Sequence, residues 1–439
     1  MKNSKPYSSI VLFVALVLAF SVVTISAQVS GNDRGMAIGM LGMTKDAIKD
    51  NYYDPAFHGV DLDFIFEQAG ERMKTAPSRD ALMMIIAQTV LALDDSHTTF
   101  YPPSRAAEID YGWQVGMVGD NCYVTRIKPK SDAEAKGVKP GDRLIAIDGF
   151  KPTRKNLWQM YYRYKAVAPT AKVAMTLLSP GEEKPRIVDV QTKISKSSGL
   201  LSIQQWYDKV VIRDGAFDSE KTHESVAFGN DLLIWKMKSF VTDEINIDKM
   251  MAKARNHKSL ILDLRGNGGG YVDIEKRLLG YFFDKDVKIG DEKTRKETKA
   301  RFAKTRGKDV FSGNLIVLVD QESASASEVF AKIIQLEKRG KVIGDKTSGS
   351  VMTSRFHPLS TNIGSQLWFG ASITMADLIM TDGKSLEKIG VTPDEVMLPT
   401  GRDLAESKDP LLSYAAKLSG VELTPEKAGT FFPYEWPRN

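Results

Sequence analysis

Three stretches of the chain hold side chains able to make and break an acyl bond. In QESASASEVFAKIIQLEKRG, Gln321–Gly340, three serines and two alanines alternate where an apolar strand gives way to a helical pattern. Ser325 and Glu328 have the spacing of a capping box, in which the hydroxyl only accepts a backbone N–H. The alternative places Ser325 on a strand-to-helix turn above the carboxyl end of a sheet. There the positive helix end and its free N–H groups favour a developing oxyanion. A serine hydroxyl is a weak nucleophile until a base takes its proton. Of the five histidines, His97 in DDSHTTF has the most polar, turn-like setting, and Ser96 precedes it. The third stretch, LDLRGNGGGYVD, follows a strand and opens a helix. Its glycines Gly266, Gly268, Gly269 and Gly270 let backbone approach a ligand, with N–H groups facing the helix start. It lacks the Gly-Lys-Ser/Thr ending of a phosphate loop and the third glycine of a dinucleotide fingerprint. A tight turn or an anion-holding glycine turn remains.

A scaffold must carry these residues. The 439 residues imply two or three domains, and 42% apolar with 26% charged is ordinary for a globular protein. The net charge of +5 counts Lys2 and Lys5; without them it is about +3, close to neutral for this size. No basic block concentrates that charge, so nucleic acid is not an implied partner. The single cysteine, Cys122, leaves no internal disulfide and reads as a small buried hydrophobe. The histidines form no compact metal-ligand pattern, and no metal or organic cofactor is implied. Residues 1–27 have a basic start, the run IVLFVALVLAFSVVTI and small residues up to Ala27, the layout of a cleaved secretory signal. An uncleaved anchor is the alternative, because the run approaches the length of a membrane span. No later segment is long and apolar enough to cross a bilayer.

Residues 34–93 read as helical. RDALMMIIAQTVLAL sets Leu82, Ile85, Ile86, Val90 and Leu93 on one face, and Ser78 caps it. From Tyr111 to Ile194 come short strands, a brief helix ending at Gly137, a Pro-Gly-Asp turn and a helix around RKNLWQMYYRY. Residues 195–230 read as irregular. Beyond them, strands such as SLILDLRG and GNLIVLVD alternate with helices. That alternation predicts an α/β core, and wholly apolar strands predict a sheet covered on both faces.

Taken in order, DDSHTTF, AEAKGVKPGDRLIAIDG, DLRGNGGG, ESASASE, GDKTSG and LEKIGVTPD resemble the layout of the tail-specific, or carboxyl-terminal processing, proteases and their tricorn-like relatives. The resemblance covers about residues 36–400. It implies an α/β fold with a crotonase- and Clp-protease-like β-β-α spiral core, an N-terminal helical region and an inserted PDZ-like domain. The implied boundaries are a signal at 1–27, the helical region at 28–107, the PDZ-like domain at 108–195 and the protease domain at 196–439. It also implies an exported serine endopeptidase, periplasmic or secreted. In that reading the PDZ-like domain recruits a polypeptide substrate by adding it to a sheet edge. Ser325, the middle serine of SASAS, matches the nucleophile. The lysine position of the Ser-Lys branch is taken here by Ser350, and Lys346 sits elsewhere in the turn. Ser96 and His97 match the serine-histidine pair of the tricorn-like branch, and Glu387 in LEKIGVTPD matches its glutamate. His97 is then the general base, Ser96 links it to Glu387, and the N–H groups of Gly268 or Gly269 and of Ala326 form the oxyanion hole. Two alternatives stay open: Lys346 as base, and a non-catalytic binding protein on the same core, as in the interphotoreceptor retinoid-binding proteins.

Overall fold

The computed structural model describes residues 29–104, 107–196, 222–361 and 367–436, so the expected signal lies outside the described residues. The helical region is three helices, Gly31–Asn51, Leu62–Lys74 and Arg79–Leu91. Ser30, Asp61 and Ser78 each cap a helix by accepting a backbone N–H, which satisfies donors that have no partner inside the helix. The chain breaks between helices at Pro55 and Pro77, which remove a backbone donor and restrict the residue before them. The predicted face is buried: Leu82, Ile85, Ile86, Val90 and Leu93 pack with Phe369, Ala371 and Ile373.

Those last three residues belong to the long strand Leu367–Met380, the centre of a five-stranded antiparallel sheet. It pairs with Thr99–Tyr101, Val287–Thr294 and Met352–Thr361, and Thr298–Ala303 forms the far edge. The short strand Thr99–Tyr101 begins two residues after His97, so docking the helices on this sheet sets where the imidazole goes.

The α/β core is a six-stranded sheet in the order Glu395–Val396, Lys341–Gly344, Asn314–Val319, Ser259–Asp263, Leu232–Met237 and His223–Phe228. All neighbours are parallel except the last pair. As the apolar runs predict, both faces are covered. Leu260 and Leu262 face the helices Glu244–Ala254, Val272–Leu279 and Ala326–Leu336, while Ile261, Ile316 and Leu318 face the helix Pro410–Leu418. The strand His223–Phe228 corrects the expectation that residues 195–230 are irregular throughout; residues 197–221 of that stretch lie outside the described residues. As a half-buried edge strand, HESVAF lacks the apolar alternation that would have announced it.

Between the helices and the core, residues 113–191 form a separate five-stranded antiparallel sheet. Its strands are Trp113–Val118, Asn121–Ile127, Arg143–Ile147, Lys172–Leu178 and Arg186–Gln191. It has its own hydrophobic cluster, which includes Cys122, Trp113, Val124, Leu144 and Met175. A two-stranded ribbon, Ala107–Asp110 with Lys193–Lys196, joins the points where the chain enters and leaves. The Arg154 guanidinium meets the Asp345 carboxylate of the core at 2.9 Å, and Asp345 also accepts the Gly119 N–H at 2.8 Å.

Candidate active site

The strand Asn314–Val319 ends at the carboxyl edge of the core sheet, and a five-residue turn leads to Ser325, which precedes the helix Ala326–Leu336. Part of the capping box forms, since Glu328 Oε2 accepts the Ser325 N–H at 3.1 Å. The backbone departs from an ordinary cap. Ser78 caps its helix from an extended conformation, φ −148° and ψ 162°, whereas Ser325 has φ 55° and ψ −118°. A side-chain-bearing residue there stores about 1–3 kcal/mol of strain, and such strain collects where a side chain must be presented. The Ser325 N–H also donates to the Ser350 carbonyl at 2.8 Å.

Two buried residues hold this turn, and the sequence reading gave neither that role. Glu328 is fully buried and accepts from Thr347 Oγ1 at 2.5 Å and from the N–H groups of Gly349 and Ser350 at 2.7 and 2.9 Å. It thereby fastens the loop after Gly344 to the first turn of the helix. Burial pushes its carboxyl up to about 7, against the pull of those hydrogen bonds. Asn267 is equally buried; its carbonyl accepts from the Ala324 N–H at 3.0 Å and the Ser327 hydroxyl at 2.9 Å. A buried asparagine inside a glycine run is a signal that the spacing carried, because so polar a side chain needs several partners to be buried.

The glycine turn lies against the serine. A Cβ on Gly269, where φ is +95°, would sit 2.7 Å from Ser325 Cβ and 3.0 Å from the Ala326 nitrogen. Of the expected oxyanion donors, Gly269 is already engaged: its N–H donates to Asn267 Oδ1 at 2.9 Å. No intramolecular acceptor is found among the described residues for the N–H groups of Gly268 and Ala326.

The other half comes from the helical region. Asp95 anchors the turn: one carboxylate oxygen accepts the N–H groups of His97 at 2.8 Å and Thr98 at 2.7 Å, and the other accepts the Tyr52 hydroxyl at 2.8 Å. Ser96 donates through its N–H to Glu387 Oε1 and through its hydroxyl to Glu387 Oε2, both at 2.8 Å. The Ser96 oxygen also lies 2.7 Å from His97 Nδ1. A hydroxyl has one proton, and the carboxylate takes it. Ser96 must then accept from Nδ1–H, which leaves the lone pair on Nε2. Burial holds the imidazole below its ordinary pKa, with Asp95 opposing. Burial raises Glu387, with its hydrogen bonds opposing.

The strip Ser350–Val351 joins the two halves. The Ser350 carbonyl accepts from Ser325, and the Val351 N–H donates to Glu387 Oε2 at 2.9 Å. No hydrogen bond joins His97 to Ser325 in this structure. Lys346 is exposed, and its neighbours Asp345 and Thr347 are the residues turned inward. The Ser350 hydroxyl pairs with that of Ser348 at 2.9 Å.

Comparison with known proteins follows the same outline. Residues 231–397 match the sequence profile of peptidase family S41. A carboxyl-terminal-processing protease of Picosynechococcus sp. is 24% identical over 331 residues, which is 73% of this chain and 74% of that one. The protein of that name from Synechocystis sp. is 22% identical over 387 residues, 86% of this chain and 82% of the relative. The structure of mature CPAF complexed with lactacystin is alike in fold, with TM-score 0.61 and 14% identity over 85% of this chain and 95% of that chain.

Proposed function

We propose that this serine-type peptidase, whose residues 231–397 match peptidase family S41, cuts polypeptides through an acyl-enzyme on Ser325, with His97 as general base. The Glu387–Ser96–His97 relay carries this reading, since it joins side chains 291 residues apart in the chain and leaves Nε2 free to take a proton. Ser325 Oγ attacks the scissile carbonyl carbon as its proton passes to His97 Nε2. The N–H groups of Gly268 and Ala326 receive the oxyanion. The tetrahedral adduct collapses, the C–N bond breaks, and His97 gives its proton to the leaving amine. Water then loses a proton to His97 and attacks the ester. The carboxylic acid departs and Ser325 regains its hydrogen. Ser96 and Glu387 act through His97 as positioning residues. Lys346 has no part in this reading, because its side chain is exposed.

Ser96→Ala tests the relay. It deletes the link between Nδ1 and Glu387, so kcat on denatured casein should fall about 10²–10³-fold with a small change in KM. The pH profile separates this from a merely structural defect. A lowered imidazole pKa puts the acid limb of wild-type kcat/KM below about 6.5. Removing the link should move that limb. An unmoved limb with full activity would refute the relay.

The reading extends to the inserted sheet, taken as a PDZ-like domain that recruits substrate, and to export directed by residues 1–27. Its edge strand Trp113–Val118 offers backbone groups to an extended peptide, beside the helix Leu157–Tyr161. One pair of those groups is occupied: the Val115 N–H donates to the Tyr161 oxygen at 2.7 Å, and the Tyr161 hydroxyl donates to the Val115 carbonyl at 2.6 Å. An entering peptide must displace that hydroxyl. Tyr161→Phe should therefore tighten binding of an apolar carboxyl-terminal decapeptide about three- to tenfold by fluorescence anisotropy.

A further inference from the structure

The segment after the helix Pro425–Ala428 runs from the α/β core to the inserted sheet. Its first part belongs to the core. The Phe431 ring lies 6.2 Å from the Phe228 ring and 5.7 Å from the Lys427 ammonium. Phe431 and Phe432 both pack against the cluster that holds Leu411, Leu412 and Ala415. The chain then turns at Phe432, whose φ of 53° is uncommon for a bulky residue, with Pro433 next. Beyond the turn the segment meets the outer face of the inserted sheet. Gln114 Nε2 donates to the Tyr434 oxygen at 2.6 Å, and the Arg126 guanidinium lies 4.2 Å from the centre of the Tyr434 ring. Arg126 Nη1 donates to Gln114 Oε1 at 2.8 Å, which fixes the amide that holds the phenol. Tyr434 meets Trp436 edge-on at 5.3 Å, and the Lys128 ammonium is 6.0 Å from the Trp436 ring. The outer face looks onto the proposed site. Side chains alternate along a strand, so Gln114 shares its face with Gly116. A Cβ on Gly116 would lie 3.7 Å from Glu322 Oε1, and one on Gly266 would lie 3.6 Å from Glu322 Oε2. Glu322 precedes Ser325 by three residues, so its carboxylate stands between the inserted sheet and the glycine turn. The segment bridges the two bodies that border this gap, held by the core at Phe431 and by the inserted sheet at Tyr434.

We propose that the segment Phe431–Trp436 is a strap: docked on Gln114, Arg126 and Lys128, it holds the inserted sheet on the core and restricts entry of polypeptides to Ser325. This rests on the reading of Ser325 as the nucleophile. The docking face suits its occupant, because two aromatic rings meet two cations and a phenol meets an amide donor. The strap is also built to let go. Tyr434 stays 41% exposed despite these contacts, and cation–π contacts at exposed sites are individually weak. Tethering makes up the difference. Only Phe432 and Pro433 separate the core anchor from Tyr434, so the ring is concentrated at Arg126 without tight binding. Gln114 lies on Trp113–Val118, the edge strand to which the proposed substrate peptide adds. Peptide and strap therefore compete for one strand, and each weakens the hold of the other.

Releasing the strap tests it. In a chain ended after Phe432, kcat/KM on denatured casein should rise about three- to tenfold, since a restrained enzyme is competent only in its undocked fraction. Tyr434→Ala combined with Trp436→Ala keeps the full chain and the Phe431 anchor. It should give the same rise, even where shortening the chain costs stability. A peptide of residues 430–436, capped at both ends and added to the shortened chain, should lower the rate again at about millimolar concentration. The same peptide with alanine for Tyr434 and Trp436 should not. Amide hydrogen exchange, followed by mass spectrometry in a Ser325→Ala background, reads docking without cleavage. Protection of residues 113–127 should fall in both released forms. Unchanged exchange overturns the docking. Faster exchange with an unchanged or lower rate on casein overturns the restraint and makes the segment a brace. Casein hydrolysis that persists in Ser325→Ala overturns the nucleophile reading and the restraint with it, while the exchange result still decides the docking.

Discussion

Replacing Ser325 with alanine should abolish hydrolysis of denatured casein, a loss of about 10⁴-fold or more, while the protein stays folded. The side chain removed is half-exposed, and the hydrogen bonds that hold the turn run through its backbone N–H to Ser350 and Glu328. Alanine keeps those bonds and the same strained φ of 55°. His97→Ala should cost a similar factor, because nucleophile and base act as a unit and losing either stops proton transfer. The double variant should be little worse than either single one. Lys346→Ala is the control that separates the two catalytic designs, and it should keep activity within about twofold, as exposed substitutions away from a site do. Initial rates on fluorescein-labelled casein, with circular dichroism for folding, give the answer. Activity lost in Lys346→Ala and kept in His97→Ala would reverse the assignment of the base.

The second large effect is steric. Gly269→Ala puts a methyl 2.7 Å from Ser325 Cβ and 2.9 Å from the Ala324 carbonyl oxygen, at a residue whose φ is +95°. The nearest atoms are backbone and the Cβ of Ser325, so no flexible side chain can swing away. The expected result is a loss of activity of about 10²-fold or more, since small misplacements of a nucleophile are costly. Stability should fall by about 1–3 kcal/mol from the backbone conformation alone. Gly268→Ala is the comparison. Nothing lies within 4 Å of a Cβ at Gly268, its φ is outside the left-handed region, and alanine keeps the N–H. It should cost about tenfold or less. Equal effects at the two glycines, measured by kcat/KM and chemical denaturation, would mean that the close approach to Ser325 is irrelevant.

The three segments proposed to carry the chemistry differ in how much of it was local. Ser325, Ala326 and the glycine turn follow apolar strands and open helices, and that handover is written in a dozen neighbouring residues. The same holds for the buried face of the helix Arg79–Leu91 and for the fully covered core strands. The resemblance to tail-specific proteases supplied the pairing of Ser96 and His97 with Glu387, which no local pattern contains.

The chain by itself determined element types, helix caps, apolar faces and the short glycine and serine turns, because each depends on residues a few positions apart. Tertiary structure decided the rest. It brought Ser96 to Glu387 across 291 residues, committed the Gly269 N–H to Asn267, and made Glu328 the buried anchor of the loop carrying Ser350. It also buried Glu275 beside Arg301 with an atom of each left unpaired. The physical reason is common to all four. Which polar groups remain free after folding depends on every partner that packing delivers, and those partners are set by how the sheets and helices close on one another.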